Sequence, residues 1–219
     1  MGLATTVVVL IAGVGVAAWL AFGGDAPAPV ALTTLPTSAS SSGTASTGAD
    51  GTWTIDAGSG SLADGSSTYA GYRVQEELSG IGANTAVGRT QNVSGSMTID
   101  GTTIADLEIT VDMTTLASDD DRRDNSLRER GLQTDQFPTA TFTLTQPIEV
   151  TAVGDLTLHG VTKQVPVPIQ AQIDGDTIQA IASVDVALAD YDIEPPTGFL
   201  VLSIADTGTI ELHLLFQKA

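Results

Sequence analysis

Residues able to do chemistry are few in this chain of 219, which holds two histidines, His159 and His213, and no cysteine. That inventory removes disulfides, thiolate nucleophiles, Cys-ligated zinc, iron–sulfur clusters and any His-rich metal centre. A hydrolase needs a nucleophile, a base and an orienting acid within reach of one another. His159 stands between Leu158 and Gly160, at a strand end or turn. His213 stands between Leu212 and Leu214, so it should face the side opposite that apolar pair. Neither adjoins a serine elbow, and both read as structural; a hydrolase built on His159 is the outlying alternative.

Three further patterns match a motif by letter only. Gly58-Ser59-Gly60-Ser61-Leu62-Ala63 fits a relaxed dinucleotide fingerprint, but no strand–helix unit surrounds it, so it reads as a turn. Asp119-Asp120-Asp121 lacks the spacing, central glycine and closing glutamate of a calcium loop. These acids suit a helix N-terminus instead, where negative charge is favourable. Asn92-Val93-Ser94 is a glycosylation sequon by letter and a weak signal. No cofactor is implied.

Composition narrows the partners. There are 26 Asp and Glu against 8 Lys and Arg, a formal charge of −18 and a pI of about 4.1. Nucleic acid is excluded, because binding phosphates takes a surplus of Lys and Arg. Charged residues are 16% of the chain, below the usual quarter, while Gly, Thr, Ser, Ala and Val abound. That balance suits an extracytoplasmic all-β domain. The charge is also unevenly placed: Asp25 is the only acid before Asp50, and the first base is Arg73.

The neutral N-terminal part reads as an anchor (residues 1–24) and a linker (residues 25–51). Leu3 to Phe22 is apolar apart from Thr5 and Thr6. Roughly twenty residues at about 1.5 Å each make a helix of about 30 Å, the thickness of a bilayer's hydrocarbon core. Trp19 near its far end suits the membrane interface. A retained single-pass anchor in the cell membrane, with the barrel outside the cytoplasm, is the preferred reading. A cleavable signal is the competitor and would release a soluble exported form. Ala21-Phe22-Gly23 is a passable cleavage site, but the start carries no base. The Pro-, Ser-, Thr- and Ala-rich stretch from Asp25 to Asp50 has no helix or strand period and reads as a flexible tether. A coil of that length spans about 25–30 Å root-mean-square.

Residues 52–219 read as one all-β domain, because apolar and polar residues alternate in row after row. Such rows occupy 107–113, 139–145, 165–173, 178–188 and 210–216, with shorter strands near 93–99 and 156–158. Asp100-Gly101, Asp174-Gly175 and Thr207-Gly208 read as turns. Pro166 and Pro168 share one strand face, which predicts an edge strand or a bulge there. Asp119 to Gln136 is helical in character, with Leu127 and Leu132 as anchors and Gly131 as a break. Many amphipathic strands, one short helix and no βαβ rhythm predict a closed antiparallel barrel or a sandwich. Periodicity leaves open whether the interior is solid or hollow.

Longer strings carry a family likeness. Phe137-Pro138-Thr139-Ala140-Thr141-Phe142 is followed by Gly154-Asp155-Leu156-Thr157-Leu158-His159-Gly160-Val161-Thr162-Lys163 and preceded by Arg123-Asp124-Asn125-Ser126-Leu127-Arg128. Together they closely resemble the YceI family. The opening Trp53-Thr54-Ile55-Asp56 and Tyr72-Arg73-Val74 also fit, so the likeness spans roughly Thr52 to Lys218. It implies a lipocalin-like antiparallel β-barrel with a short helical excursion. It also implies an exported protein that holds long polyprenyl or quinone-like lipids in an apolar interior, without catalysis. The anchored arrangement resembles forms found in high-GC Gram-positive bacteria. Two segments depart from the family pattern. Arg73-Val74-Gln75-Glu76-Glu77 follows Tyr72 where the family usually has a histidine, and Ala189 to Pro196 replaces an Arg-x-Asp-Phe-Gly-type segment.

On that resemblance the expected lipid-contacting wall is Leu107, Ile109, Val111, Phe142, Leu144, Leu156, Leu158, Val184, Val186, Leu212 and Leu214. Arg123, Arg128 and His159 are the expected pocket-mouth residues, although ion pairing to local acids competes as the role of the two arginines. The expected partners are an isoprenoid-type lipid and, through the N-terminal helix, a membrane; a second copy of the chain is a further candidate. The competing function is a stalked acidic interaction module with a solid core and no lipid.

Overall fold

A computed structural model of the chain describes residues 26–32, 49–148 and 151–219. The expected anchor, and residues 25 and 33–48 of the expected linker, lie outside the described residues. Among the described residues no helix is long and apolar enough to cross a membrane.

Alternating sequence becomes ten antiparallel strands: β1 (Gly51–Ile55), β2 (Tyr69–Leu78), β3 (Gly82–Thr90), β4 (Val93–Asp100), β5 (Thr103–Asp112), β6 (Thr139–Leu144), β7 (Thr151–Leu158), β8 (Val161–Asp174), β9 (Thr177–Ala187) and β10 (Val201–Lys218). Pairing runs β1-β4-β5-β6-β7-β8-β9-β10, and β1 also pairs with β10, so these eight strands close a barrel rather than a sandwich. Closure is narrow: β1 meets β10 only from Trp53↔Lys218 to Ile55↔Phe216. The β2–β3 hairpin takes the remainder of that β10 edge, from Val201↔Leu78 to His213↔Tyr69. Between β5 and β6 lies the one described α-helix, α1 (Asp121–Ser126), continued by a π-helical turn over Leu127–Gly131.

Several local features follow from residue chemistry. Asp120 caps α1, accepting from the Arg122 amide at 2.8 Å, so part of the acidic run serves a helix N-terminus as expected. The two prolines sit in the half of β8 that pairs only with β7; pairing with β9 begins at Ile169. Pro166 and Pro168 therefore face no ladder on the β9 side, and the strand is an edge only locally. Thr207-Gly208 is not a turn. Gly208 lies inside β10, where the register with β2 shifts between Ile204 and Gly208. A glycine flanked by strand residues marks a bulge as readily as a turn, and only the long-range pairing decides.

One end of the barrel is packed solid. Trp53 and Phe216 are each 1% exposed and sit among Met97, Leu107, Ile178 and Leu214. The Trp53 indole donates to the Ala49 carbonyl at 2.8 Å, which satisfies its one polar atom.

Around Glu211 and His213 the outward face of β10 is buried too, as a polar cluster. Glu211 accepts from Arg73 Nε at 2.9 Å and lies 3.6 Å from Arg89, whose guanidinium stacks 4.4 Å over the Tyr69 ring. Tyr69 in turn stacks on His213 at 5.4 Å. His213 faces away from the Leu212–Leu214 row as expected, with Nδ1 2.7 Å from the Ser67 carbonyl and Nε2 2.6 Å from the Gln179 amide. Two carbonyls of the described linker residues join this cluster: Pro27 accepts from Arg73 at 2.7 Å and Ala28 from Arg89 at 3.0 Å.

Those contacts fix His213 as a neutral ring. Nδ1–H donates to Ser67, so Nε2 must accept from Gln179, whose amide oxygen accepts from Gln172. Burial first, and the nearby Arg89 charge as well, hold the His213 pKa below its ordinary 6.5 against the opposing Ser67 bond. The native ring resists a proton that the unfolded chain accepts. Its stabilising contribution is therefore complete above pH 6.5 and declines as pH falls below that value. Urea denaturation across this range should show stability falling by up to about 1.4 kcal/mol per pH unit relative to a His213→Gln variant, whose amide can make both bonds.

Candidate functional site

Above the solid end the barrel is hollow. A cavity of about 640 Å³ opens at the end formed by the β2–β3 turn, the α1 excursion and the β9–β10 loop. Its size lies in the range of small-molecule pockets. The inward rows of β2, β5, β6, β7, β9 and β10 supply its wall, which is mainly aliphatic. The solid-core alternative is therefore overturned for this half of the barrel.

Seven of the expected wall residues border the cavity: Ile109, Val111, Phe142, Leu156, Leu158, Val186 and Leu212. Leu107, Leu144, Val184 and Leu214 do not; the strand period gives their face but not their height in the barrel. Leu107, for example, pairs with Met97, which pairs with Trp53, and this places it at the packed end. Phe142 lies across Gly154 on β7, where a Cβ would collide with its ring. An isolated glycine in a strand pattern is a signal of such close approach.

The expected mouth residues separate. Arg123 does border the cavity. Its Nη2 donates to Glu76 at 2.8 Å, and its Nη1 reaches Asp119. Glu76 also accepts from Asn84 at 2.8 Å. Glu76 is the one carboxylate on the inward row of β2 and lies in the segment that departs from the family pattern, whereas Arg123 belongs to a string that follows it. Burial works against the Arg123 charge, yet Glu76 and Asp119 raise its pKa above the ordinary arginine value.

Arg128 does not border the cavity; it donates to Asn125 at 3.0 Å, while Arg122 and Arg130 on neighbouring turns face the opening. His159 is not a mouth residue either. At φ +50°, followed by Gly160 at φ +74°, it forms the tight β7–β8 hairpin. Its Nδ1 lies 3.0 Å from the Tyr191 carbonyl and its ring packs edge-on against Phe137. A residue's place on a turn is visible in sequence; which way the turn leans is not.

Several lining residues were not among the expected ones. Ala70, Tyr72, Val74 and Leu78 come from β2, and Ala86 from β3. Their alternation is obscured by Gly71, Gly88 and the inward Glu76. Ile193, Pro195, Pro196, Phe199 and Leu200 come from the β9–β10 loop, which has no period to detect. Tyr72 stands out chemically. Its ring lies against Gly88, and its buried hydroxyl has no hydrogen-bond partner among the described residues. Burial pushes its phenol well above the ordinary value, so it stays protonated as a potential donor at the cavity wall.

Among known proteins, residues 43–216 match the YceI-like domain. A UPF0312 protein of Vibrio parahaemolyticus is 29% identical over 154 residues, covering 63% of this chain and 77% of that protein. Protein YceI of Escherichia coli O6:H1 is 32% identical over 119 residues, covering 51% and 59%. Two solved structures share the fold. A polyisoprenoid binding domain from Saccharophagus degradans, implicated in plant cell wall breakdown, has a TM-score of 0.55 at 15% identity and covers 69% of this chain and 98% of its own. BcnA of Burkholderia cenocepacia has a TM-score of 0.58 at 17% identity, covering 74% and 98%.

The unpartnered Tyr72 hydroxyl generates a prediction. A buried polar group without a partner is costly, so Tyr72→Phe should stabilise the ligand-free barrel by about 1 kcal/mol. Urea midpoints of delipidated protein measure this, and a loss of stability instead would mean that the hydroxyl is already satisfied.

Proposed function

The chain belongs to the family of YceI-like domains, and on that premise we propose that its barrel holds a long isoprenoid-type lipid, polyprenyl or quinone-like, and performs no catalysis. The observation that carries this reading is the apolar cavity of about 640 Å³, lined by the inward strand rows and by the β9–β10 loop. Each methylene moved from water into such a wall is worth roughly 0.8 kcal/mol, so a chain of several prenyl units brings a large gross driving force. Ordering of the chain and lost translational freedom offset part of it. No charge is needed along the wall. Polar recognition falls to the mouth, where Tyr72, Glu76 and Arg123 stand together.

The same proposal includes the location. The apolar run Leu3–Phe22 anchors the chain in the cell membrane, and the acidic barrel lies outside the cytoplasm. A binding protein for a membrane-derived lipid is thereby kept beside its source. The polyisoprenoid-binding description of the Saccharophagus degradans domain supports the ligand class.

Full-length protein purified from membranes should carry an isoprenoid that organic extraction and mass spectrometry detect. Extracts without lipid, together with failure to take up added polyprenol, would remove the proposal. A Val111→Trp variant adds a physical check. Val111 borders the cavity, so an indole there should fill empty space, block lipid uptake and change stability by less than the roughly 1–3 kcal/mol that overpacking a filled core costs.

A further inference from the structure

Large apolar side chains that face solvent are few in the described residues, and they are not scattered. Ile81, Phe199, Leu200 and Leu202 are 77%, 90%, 51% and 57% exposed, and all four belong to one rim of the cavity's open end. Ile81 tops the β2–β3 turn. The other three come from the β9–β10 loop and the start of β10, and the Ser79 amide donates to the Leu200 carbonyl at 2.8 Å, joining the two loops. Leu202 is the extra residue where the β10 register shifts between Val201 and Ser203, so a bulge turns it outward. Ile81, Phe199 and Leu200 also border the cavity, so the rim continues the apolar wall outward. The remaining exposed large apolar residue, Ile173, lies beside the β8–β9 turn at the opposite, packed end.

We propose that this rim is a membrane-docking surface that sets the mouth of the barrel into the headgroup region of a lipid bilayer, so that lipid passes between bilayer and cavity without crossing water. The inference rests on the lipid-binding and anchoring readings above and adds a contact that neither contains. Three observations favour a bilayer as the occupant. The patch is continuous with an apolar cavity, which a protein partner would merely plug. Exposed aromatic and aliphatic residues beside a cation suit an interface, and Arg130 borders the same opening, as does Arg122 paired with Asp120 at 3.1 Å. The chain's own length also fits. Pro27 is held on the barrel by Arg73 and stands only five positions after Phe22 at the end of the apolar run, a reach of at most about 17 Å. Leu78, at the rim, lies five residues along β2 from Arg73, also about 17 Å. A membrane holding the apolar run is therefore within reach of the rim.

Because the chain has no cysteine, single labels test this cleanly. Full-length Phe199→Cys and Ile173→Cys variants would be nitroxide-labelled and reconstituted into vesicles of phosphatidylcholine and phosphatidylglycerol. Docking predicts that the label at 199 collides with dissolved oxygen and is shielded from a water-soluble nickel chelate, while the label at 173 shows the reverse. Equal nickel access at both positions would overturn the proposal and point instead to a protein partner absent from the vesicles. A second arm uses Leu202→Asp, since Leu202 does not border the cavity. Transfer of the polyprenol solanesol from vesicles should slow by about tenfold, the order expected from one lost apolar contact. Uptake of detergent-dispersed solanesol should persist, and unchanged vesicle transfer would count against docking. If the unmodified protein takes up solanesol in neither format, the lipid reading fails, and the label at 199 still decides docking independently.

Discussion

β10 offers two hydrogen-bonding edges along its eighteen residues, and how they are shared shapes the molecule. β9 fills one edge from Thr207 to Gln217. The other is divided, with β2 on Val201–His213 and β1 on Phe216–Lys218 only. Paired strands keep a spacing of about 4.8 Å, so placing the β2–β3 hairpin beside β10 widens the ring at that end. At the other end a single strand bridges β10 and β4. Trp53 and Phe216 are large enough to fill the narrow end. At the wide end the rings of Phe142 and Tyr72 lie against Gly154 and Gly88 on the wall, and a cavity remains.

Holding a hairpin on a barrel wall requires more than a ladder. Arg73 and Glu211 come from the two paired strands, Arg89 from the third, and all three converge outside the barrel under cover of other chain. A buried ion pair contributes little net stability, but removing one partner leaves an unpaired buried charge. The cluster therefore specifies position rather than adding strength. It also captures the Pro27 and Ala28 carbonyls, so residues that composition alone marks as free coil have defined partners.

The inner polar groups follow a different logic. Glu76, Arg123 and Tyr72 stand near the open end, where the low dielectric of the wall meets solvent, and the wall below them is aliphatic. Charge near the opening and apolar surface at depth form a gradient suited to a molecule with one polar end and a long apolar tail. The same gradient continues outward into the exposed rim. On the proposed docking, wall, mouth and rim would form a path for such a molecule rather than an isolated pocket.

Alternation in the chain was sufficient for most of β4 to β10, their inward faces and the barrel or sandwich class, because a period of two sorts side chains by face whatever the strand pairs with. β2 and β3 were obscured by Gly71, Gly88 and the inward Glu76. The Phe137–Phe142 and Gly154–Lys163 strings were sufficient for the family. Depth was not legible: Leu107 and Ile109 share a row, yet one packs under the cavity and the other lines it, since height depends on register between distant strands. The resemblance led to His159 and Arg128 as mouth residues, but neither borders the cavity: the β7–β8 turn directs His159 to the Tyr191 carbonyl and Arg128 bonds Asn125. Gly208 carried the same letter for a turn and a bulge. The hollow interior, the buried outer cluster and the apolar rim were decided by the tertiary structure alone. Each arises from segments far apart in the chain, and no local preference encodes how much space is left when they close.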